Sequence, residues 1–317
     1  MLDRIAESLF WIGRYLERAE NHARLLDVYY HLRDDGDKQD EAVWKRVAEA
    51  IGDPALYEEK FGTYRERDVL FFLALDTAQT NSLLCCVAQA RDNLKNIREQ
   101  LPAELWNLLN GFYLWLKGVK TDDIVEQSPH RFFHKVKEGL AAFQGTAVSI
   151  APRDESWHMM EAGRYLERSE NVIRLLRSVR KAVPEEGAAS YGRMMAMLSS
   201  VGGAEAFRRM DSAGVNLEEI ARFLILQEVF PRSVQFALAS FEQHLKSLRG
   251  PSAKADSALE RMIRLAGKAR SELGYLERGD ITFGSLDNVL NHLQLSNRQL
   301  GETMAKTFFS PGREVTA

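Results

Sequence analysis

The chain has 317 residues, with 45 acidic side chains against 42 lysines and arginines, a formal net charge of −3 at pH 7 and 45% hydrophobic residues. That length can bury a large core and suits one large domain or two of about 150 residues. The slightly acidic balance excludes a general electrostatic pull toward nucleic acid and leaves room only for a local basic patch. No uninterrupted apolar run approaches the ~20 residues needed to span a bilayer, and the N-terminus lacks the basic and apolar regions of a signal peptide. A cytoplasmic protein that binds neither nucleic acid nor membrane is expected.

In chain order, residues 2–32 read as one long helix. Leu9, Ile12, Leu16, Ala19, Ala23 and Leu26 alternate three and four apart, a heptad-like stripe, and Asp34-Asp35-Gly36-Asp37 stops it. A helix over 41–51 follows, closed by Gly52-Asp53-Pro54, with Asp53 placed to cap a short helix that has Pro54 at its first position. Residues 68–75 lead into a helix, and 76–81 turn. Residues 82–100 carry Leu83, Val87, Ala90, Leu94 and Ile97 on one stripe. Pro102 breaks that helix and opens the next, through about residue 117. Ser128-Pro129 starts another with Ser128 as cap, and Gly145 and Pro152 mark a joint. Residues 157–183 form a second long helix, ended by Pro184-Glu185-Glu186-Gly187. Helices are expected near 191–200, 204–210, 217–229 and 233–248, with Pro231 as an interruption, then a Gly250-Pro251-Ser252 loop and helices over 257–276 and 285–307. No period-two pattern of β-branched residues dominates anywhere, so the fold is expected to be all-α.

One phrase occurs twice. Gly13-Arg14-Tyr15-Leu16-Glu17-Arg18-Ala19-Glu20-Asn21 returns as Gly163-Arg164-Tyr165-Leu166-Glu167-Arg168-Ser169-Glu170-Asn171, and the match runs on through Arg24-Leu25-Leu26 and Arg174-Leu175-Leu176. Helix propensity alone would not keep so many polar residues in register. Phe72-Leu73-Ala74-Leu75 also resembles Phe223-Leu224-Ile225-Leu226 at nearly the same offset. A duplicated helical unit is therefore expected, spanning 1–148 and 153–312 and packed as related bundles. A third Tyr-Leu-Glu-Arg at 275–278 lacks the Glu-Asn continuation and reads as coincidence or a helix end.

On the first helix Arg14, Glu17, Arg18 and Asn21 cluster at steps of three and four, roughly opposite the apolar stripe. Phe10, Trp11, Leu25 and Tyr29 flank them, and a helix apolar on several sides is usually buried on several sides. Two readings are open. One is a salt-bridge lattice in which Arg14 and Arg18 meet carboxylates of the second copy across a pseudo-two-fold, since a buried charge must be paired and arginine pairs a carboxylate bidentately. The other is a ligand- or partner-binding site on the same residues. The candidate positions are Arg14, Tyr15, Glu17, Arg18, Glu20 and Asn21 with Arg164, Tyr165, Glu167, Arg168, Glu170 and Asn171.

Other candidates stand apart from the phrase. Arg91, Asn93 and Arg98, just before Trp106, form a solvated face or a grip for a carboxylate or phosphate. Arg232 sits in a Phe-Pro-Arg-Ser helix break with Ser233 as cap, and is a second recognition candidate. His130 and His134 have metal-ligand spacing without an evident third ligand, so no metal is expected, and no Gly-rich phosphate loop or nucleophile elbow calls for a cofactor. Cys85 and Cys86 are adjacent in an apolar run, ill placed to bridge each other, and read as buried structural thiols.

The segment Trp11-Ile12-Gly13-Arg14-Tyr15-Leu16-Glu17-Arg18-Ala19-Glu20-Asn21, its second copy, Ala90-Arg91-Asp92-Asn93, Arg98-Glu99, Trp106 with Asn110, and residues 230–234 together resemble the bacterial alpha-E proteins, helical proteins named for a Glu-Arg motif. Asp92 and Thr80-Asn81-Ser82 depart from the usual glutamate and Pro-Ser-Ile run. The resemblance implies a neighbourhood: an ATP-grasp protein similar to carboxylate–amine ligases and a transglutaminase-like cysteine peptidase, a system that makes or trims peptide-like amide bonds. It implies no chemistry for the helical protein itself. Two functions are carried forward. The first is a non-catalytic accessory or scaffold protein that binds the ligase or a peptide substrate. The second is an enzyme acting on a peptide or amino-acid carboxylate with Glu17 or Glu167 as general base, a role nearby arginines oppose by holding a carboxyl ionised. Oligomeric state is not legible.

Overall fold

In the computed structural model the described residues are 3–34, 41–183, 190–210, 214–249 and 257–309. Among them there are fifteen α-helices and no strand. The first half runs α1 (Asp3–Asp34), α2 (Glu41–Ile51), α3 (Pro54–Phe61), α4 (Glu66–Ala74), α5 (Leu83–Asn96), α6 (Ala103–Lys117), α7 (Thr121–Gln127) and α8 (Pro129–Ile150). The second runs α9 (Glu155–Ala182), α10 (Tyr191–Ser200), α11 (Ala204–Arg208), α12 (Leu217–Leu226), α13 (Val234–Ser247), α14 (Ala258–Gly274) and α15 (Leu286–Phe308).

The two long helices, α1 and α9, pack against each other at the centre. Around α1 lie α5, α8 and α10; around α9 lie α13 and α15, with α6 closing against α5 and α8, and α14 against α13 and α15. The heptad-like stripe of α1 drives this. Leu9, Ile12, Ala19, Ala23 and Leu26 are buried, and so are Phe10 and Leu25 on a second side. A helix that must bury two sides belongs in the middle of a bundle. The turn at 151–154 separates α8 from α9, and Asp154 caps α9 by accepting the Ser156 and Trp157 N–H groups.

Gly13 and Gly163 set how closely α1 and α9 meet. A methyl group on Gly13 would overlap the carbonyl oxygen of Met160, and one on Gly163 would overlap that of Phe10. Backbone thus lies on backbone at the crossing, which only a residue without Cβ permits.

Most helix starts follow the local rules. Asp53, Ser82, Ser233 and Ser257 each accept a backbone N–H at the first turn of their helices. Three expectations are corrected. Ser128 has φ 132° and makes no capping bond with its side chain, because α7 ends immediately before it and the chain reverses there. Helix α7 itself, a short acidic-start segment, was not foreseen. Gly145 is no joint but an exposed position inside α8, which runs unbroken to Ile150 because its opposite side buries Phe143 and Ala147. The stop signals expected at 35–37 and 184–187 and the loop at 250–252 lie outside the described residues. No helix among the described residues is long and apolar enough to cross a membrane.

Candidate functional site

The charged faces of the two matching phrases point at each other across the α1–α9 contact. Arg18 grips Glu167 with two nitrogens, Nε to Oε1 at 2.7 Å and Nη2 to Oε2 at 2.9 Å. Arg168 grips Glu17 the same way, Nε to Oε1 at 2.8 Å and Nη2 to Oε2 at 2.7 Å. This two-point geometry is the strong form of the Arg–carboxylate pair. Glu17, Glu167 and Arg168 are buried, and the Arg18 side chain is 14% exposed.

The outer contacts of the two pairs differ. Arg14 donates to Glu167 Oε2 at 2.6 Å and to Glu170 Oε2 at 2.5 Å. Its sequence counterpart, Arg164, turns away, lying 3.4 Å from Glu161 and donating to the Tyr165 hydroxyl. Arg232 takes the vacant role, donating to Glu17 Oε1 at 3.0 Å and Glu20 Oε1 at 2.5 Å. The loop before α5 answers this loop before α13: Asn81 Oδ1 accepts from Arg18, and the Pro231 carbonyl accepts from Arg168. Arg24 and Arg174 finish the lattice by donating to Glu20 and Glu170 one turn earlier on their own helices. Tyr15 lies under Arg18, and Tyr165 under Arg164 and Arg168. Asn21 and Asn171 are buried at the next turn, where no hydrogen bond satisfies the Asn171 side chain among the described residues.

Burial alone would raise the carboxyl pKa values of this lattice. The guanidinium groups outweigh it. Arg168 and Arg232 hold Glu17 down at about 2, and Arg14 and Arg18 hold Glu167 lower still. Every oxygen of both carboxylates already accepts a guanidinium N–H. A general base needs a pKa near the working pH; neither residue has one. Glu161 goes the other way, raised by burial against the weaker pull of Arg164.

These shifts predict the acid response. A carboxyl lowered from 4.5 to about 2 stabilises the fold above pH 4.5 and loses that contribution as pH falls toward 2. His22 is lowered from 6.5 to about 3, first by burial and then by Arg174 and Arg18, so the unfolded chain takes up its proton first and stability starts to fall below pH 6.5. Urea midpoints measured from pH 7.5 to 3 should decline gently below 6.5 and steeply below 4.5. A midpoint flat from pH 5 to 3 would rule out a lattice of ionised, buried carboxylates.

The remaining candidates lie elsewhere. Arg98 is on the 3-10 turn after α5 and not on the helix, so the two are not set seven residues apart along one helix face. Both instead cover Trp106, at 5.3 Å and 4.5 Å from its ring, and Arg91 also covers Tyr113 and donates to Asn110 Oδ1. Asn93 donates to the Gln89 carbonyl within its own helix. His130 meets Asp27, which also takes Lys137, while His134 faces Glu138, and the two ring centroids lie 6.2 Å apart. Cys86 is buried, its thiol pushed up to about 12 by burial, but Cys85 is half-buried, contrary to the expectation for the pair, because it sits one residue off the buried stripe of α5. Sequence reasoning missed Asn81 and the Pro231 carbonyl, which no local pattern announces, and Glu161, whose spacing of three from Arg164 carried a readable ion-pair signal. Arg24 and Arg174, four residues beyond a glutamate, carried a readable ion-pair signal.

Fold and site define an all-α protein built around a buried, reciprocal arginine–glutamate lattice between two long helices. The chain belongs to the Alpha-E family, a predicted alpha-helical domain with a conserved ER motif, whose family model matches residues 1–309. It is similar to uncharacterized proteins of Mycobacterium bovis and of two strains of Mycobacterium tuberculosis, each 26% identical over 282 residues, covering 82% of this chain and 31% of the relative. The chain thus spans about a third of the length of those curated relatives. No solved structure matches it.

Proposed function

We propose that this protein is a non-catalytic accessory or scaffold protein of the bacterial cytoplasm, serving an ATP-grasp-type carboxylate–amine ligase and a transglutaminase-like partner by binding the ligase or its peptide substrate. The observation that carries the reading is the inward lattice. The most chemically loaded residues of the family motif are spent on one another, with every carboxylate oxygen paired and both groups ionised, which suits joining two helical halves and not turning over a substrate. Two free thiols suit a reducing compartment. The relatives carry long additional sequence beyond the matched part, as a module working beside or fused to other domains would.

The same reading includes an internal duplication. The reciprocal Arg18–Glu167 and Arg168–Glu17 pairs and the reciprocal Gly13 and Gly163 contacts support two units, 1–148 and 153–312, related by a pseudo-two-fold axis through the α1–α9 contact. Docking then falls to outward residues. Arg98 is exposed, and Trp106 and Arg91 are half-buried beside it on the α5–α6 face. Such aromatic and arginine side chains are enriched among interface anchors.

The test is co-purification of the tagged protein with the ATP-grasp protein encoded beside it. Wild type should retain the ligase, and an Arg98→Ala/Trp106→Ala variant with unchanged melting should lose it. Loss of neither, or retention of no ligase by wild type, would remove the docking role. Arg14→Ala is unsuited to this purpose, because it opens the lattice and tests folding instead.

A further inference from the structure

Beside the lattice, α2, α9 and α15 enclose an open cleft of about 300 Å³. Its charged lining is Arg46, Arg174, Arg177 and Lys181 against Glu49 and Glu170, an excess of two positive charges. Glu170 is already committed, with one oxygen taking Arg14 and the other Arg174. Arg177 is held in place through Nη1 by Asn291 and Gln294 of α15. By contrast, Arg46, Lys181 and Glu49 make no side-chain hydrogen bond or ion pair among the described residues. On the other side of the lattice the space beside Glu17, Glu20, Arg164 and Arg168 is only about 30 Å³.

Unpaired like charges brought together around a concavity repel one another, and an anion of matching shape relieves that repulsion. Guanidinium groups favour planar carboxylates, which they bind at two points. The carboxylate of Glu49 adds a site for one positive group. We infer that this cleft binds an acidic amino acid or the acidic end of a short peptide, with its carboxylates on Arg46, Arg177 and Lys181 and its ammonium group on Glu49. The inference deepens the reading of a peptide-binding accessory protein. Its test needs no ligase, so failure of either can be told apart.

Isothermal titration of the full chain with L-glutamate, the dipeptide Glu-Glu, glutarate, L-lysine and inorganic phosphate provides the test. Glutamate and the dipeptide should bind and lysine should not. Removing charge-assisted hydrogen bonds in Arg46→Gln/Lys181→Gln should weaken both by about tenfold or more, with little change in melting, because neither side chain supports the fold through an ion pair. Glu49→Gln should weaken glutamate and leave glutarate, which has no ammonium group, unaffected or tighter. The inference is overturned if neither acid binds, if the double variant binds them as wild type does, or if phosphate binds as tightly as glutamate.

Discussion

Replacing Arg168 with alanine is expected to destabilise the protein by about 3–5 kcal/mol. Arg168 supplies both long arms of the grip on Glu17, and Glu17 is only 3% exposed. The substitution leaves a buried carboxylate with Arg232 as its one directly contacting cation among the described residues. Against a typical total stability of about 5–15 kcal/mol, the loss is large. Chemical denaturation of the purified variant measures it directly. The double variant Glu17→Leu/Arg168→Met should recover part of the loss, since an apolar pair of similar size removes both buried charges and Arg232 keeps Glu20. Equal stability of Arg168→Ala and wild type, within the ~0.5 kcal/mol of ordinary surface sites, would show that the pair is open to water in solution. The lattice residues would then return as candidates for direct ligand binding.

Gly13→Ala and Gly163→Ala are expected to cost about 3 kcal/mol each, at the upper end of overpacking effects. In an isolated helix the same change stabilises by up to about 1 kcal/mol. The sign reverses here because the added methyl meets backbone. At Gly13 it would overlap the Met160 carbonyl oxygen and come within 2.9 Å of the Arg164 nitrogen, and neither can swing aside as a side chain would. The helices must separate, which also lengthens the bidentate pairs one turn away. Gly111→Ala and Gly145→Ala serve as controls: both sit in exposed helical positions with nothing within 4 Å of the new methyl, and both should be neutral or slightly stabilising. If all four variants melt alike, the close crossing of α1 and α9 is not a feature of the protein in solution.

The helices were legible because their signals are local. Asp53-Pro54, Ser82, Ser233 and the apolar stripes of α1 and α5 each act within a turn or two, so the sequence places those elements with nothing else known. Ser128 and Gly145 misled for the same reason. Their local preferences for a cap and a break were overruled by a chain reversal after α7 and by the buried side of α8.

The doubled phrase showed where the charged residues gather, and left open whether they pair with each other across the two helices or bind a ligand or partner. Which arginine meets which glutamate was decided only by tertiary structure. Arg14 and Arg164 open the same repeated phrase yet go to different carboxylates, because Glu161, which stands where the first copy has Trp11, draws Arg164, and Arg232 fills the position left open. The cleft by Arg46 and Arg177 is likewise invisible along the chain, since its charges come from two helices far apart in sequence, α2 and α9, and α15 adds only amide side chains. By itself the sequence determined an all-helical protein with a repeated Arg–Glu phrase and the family it resembles. The tertiary structure decided that the phrase faces inward, since only the backbone contact at Gly13 and Gly163 brings the two helices near enough for their charges to neutralise each other away from water.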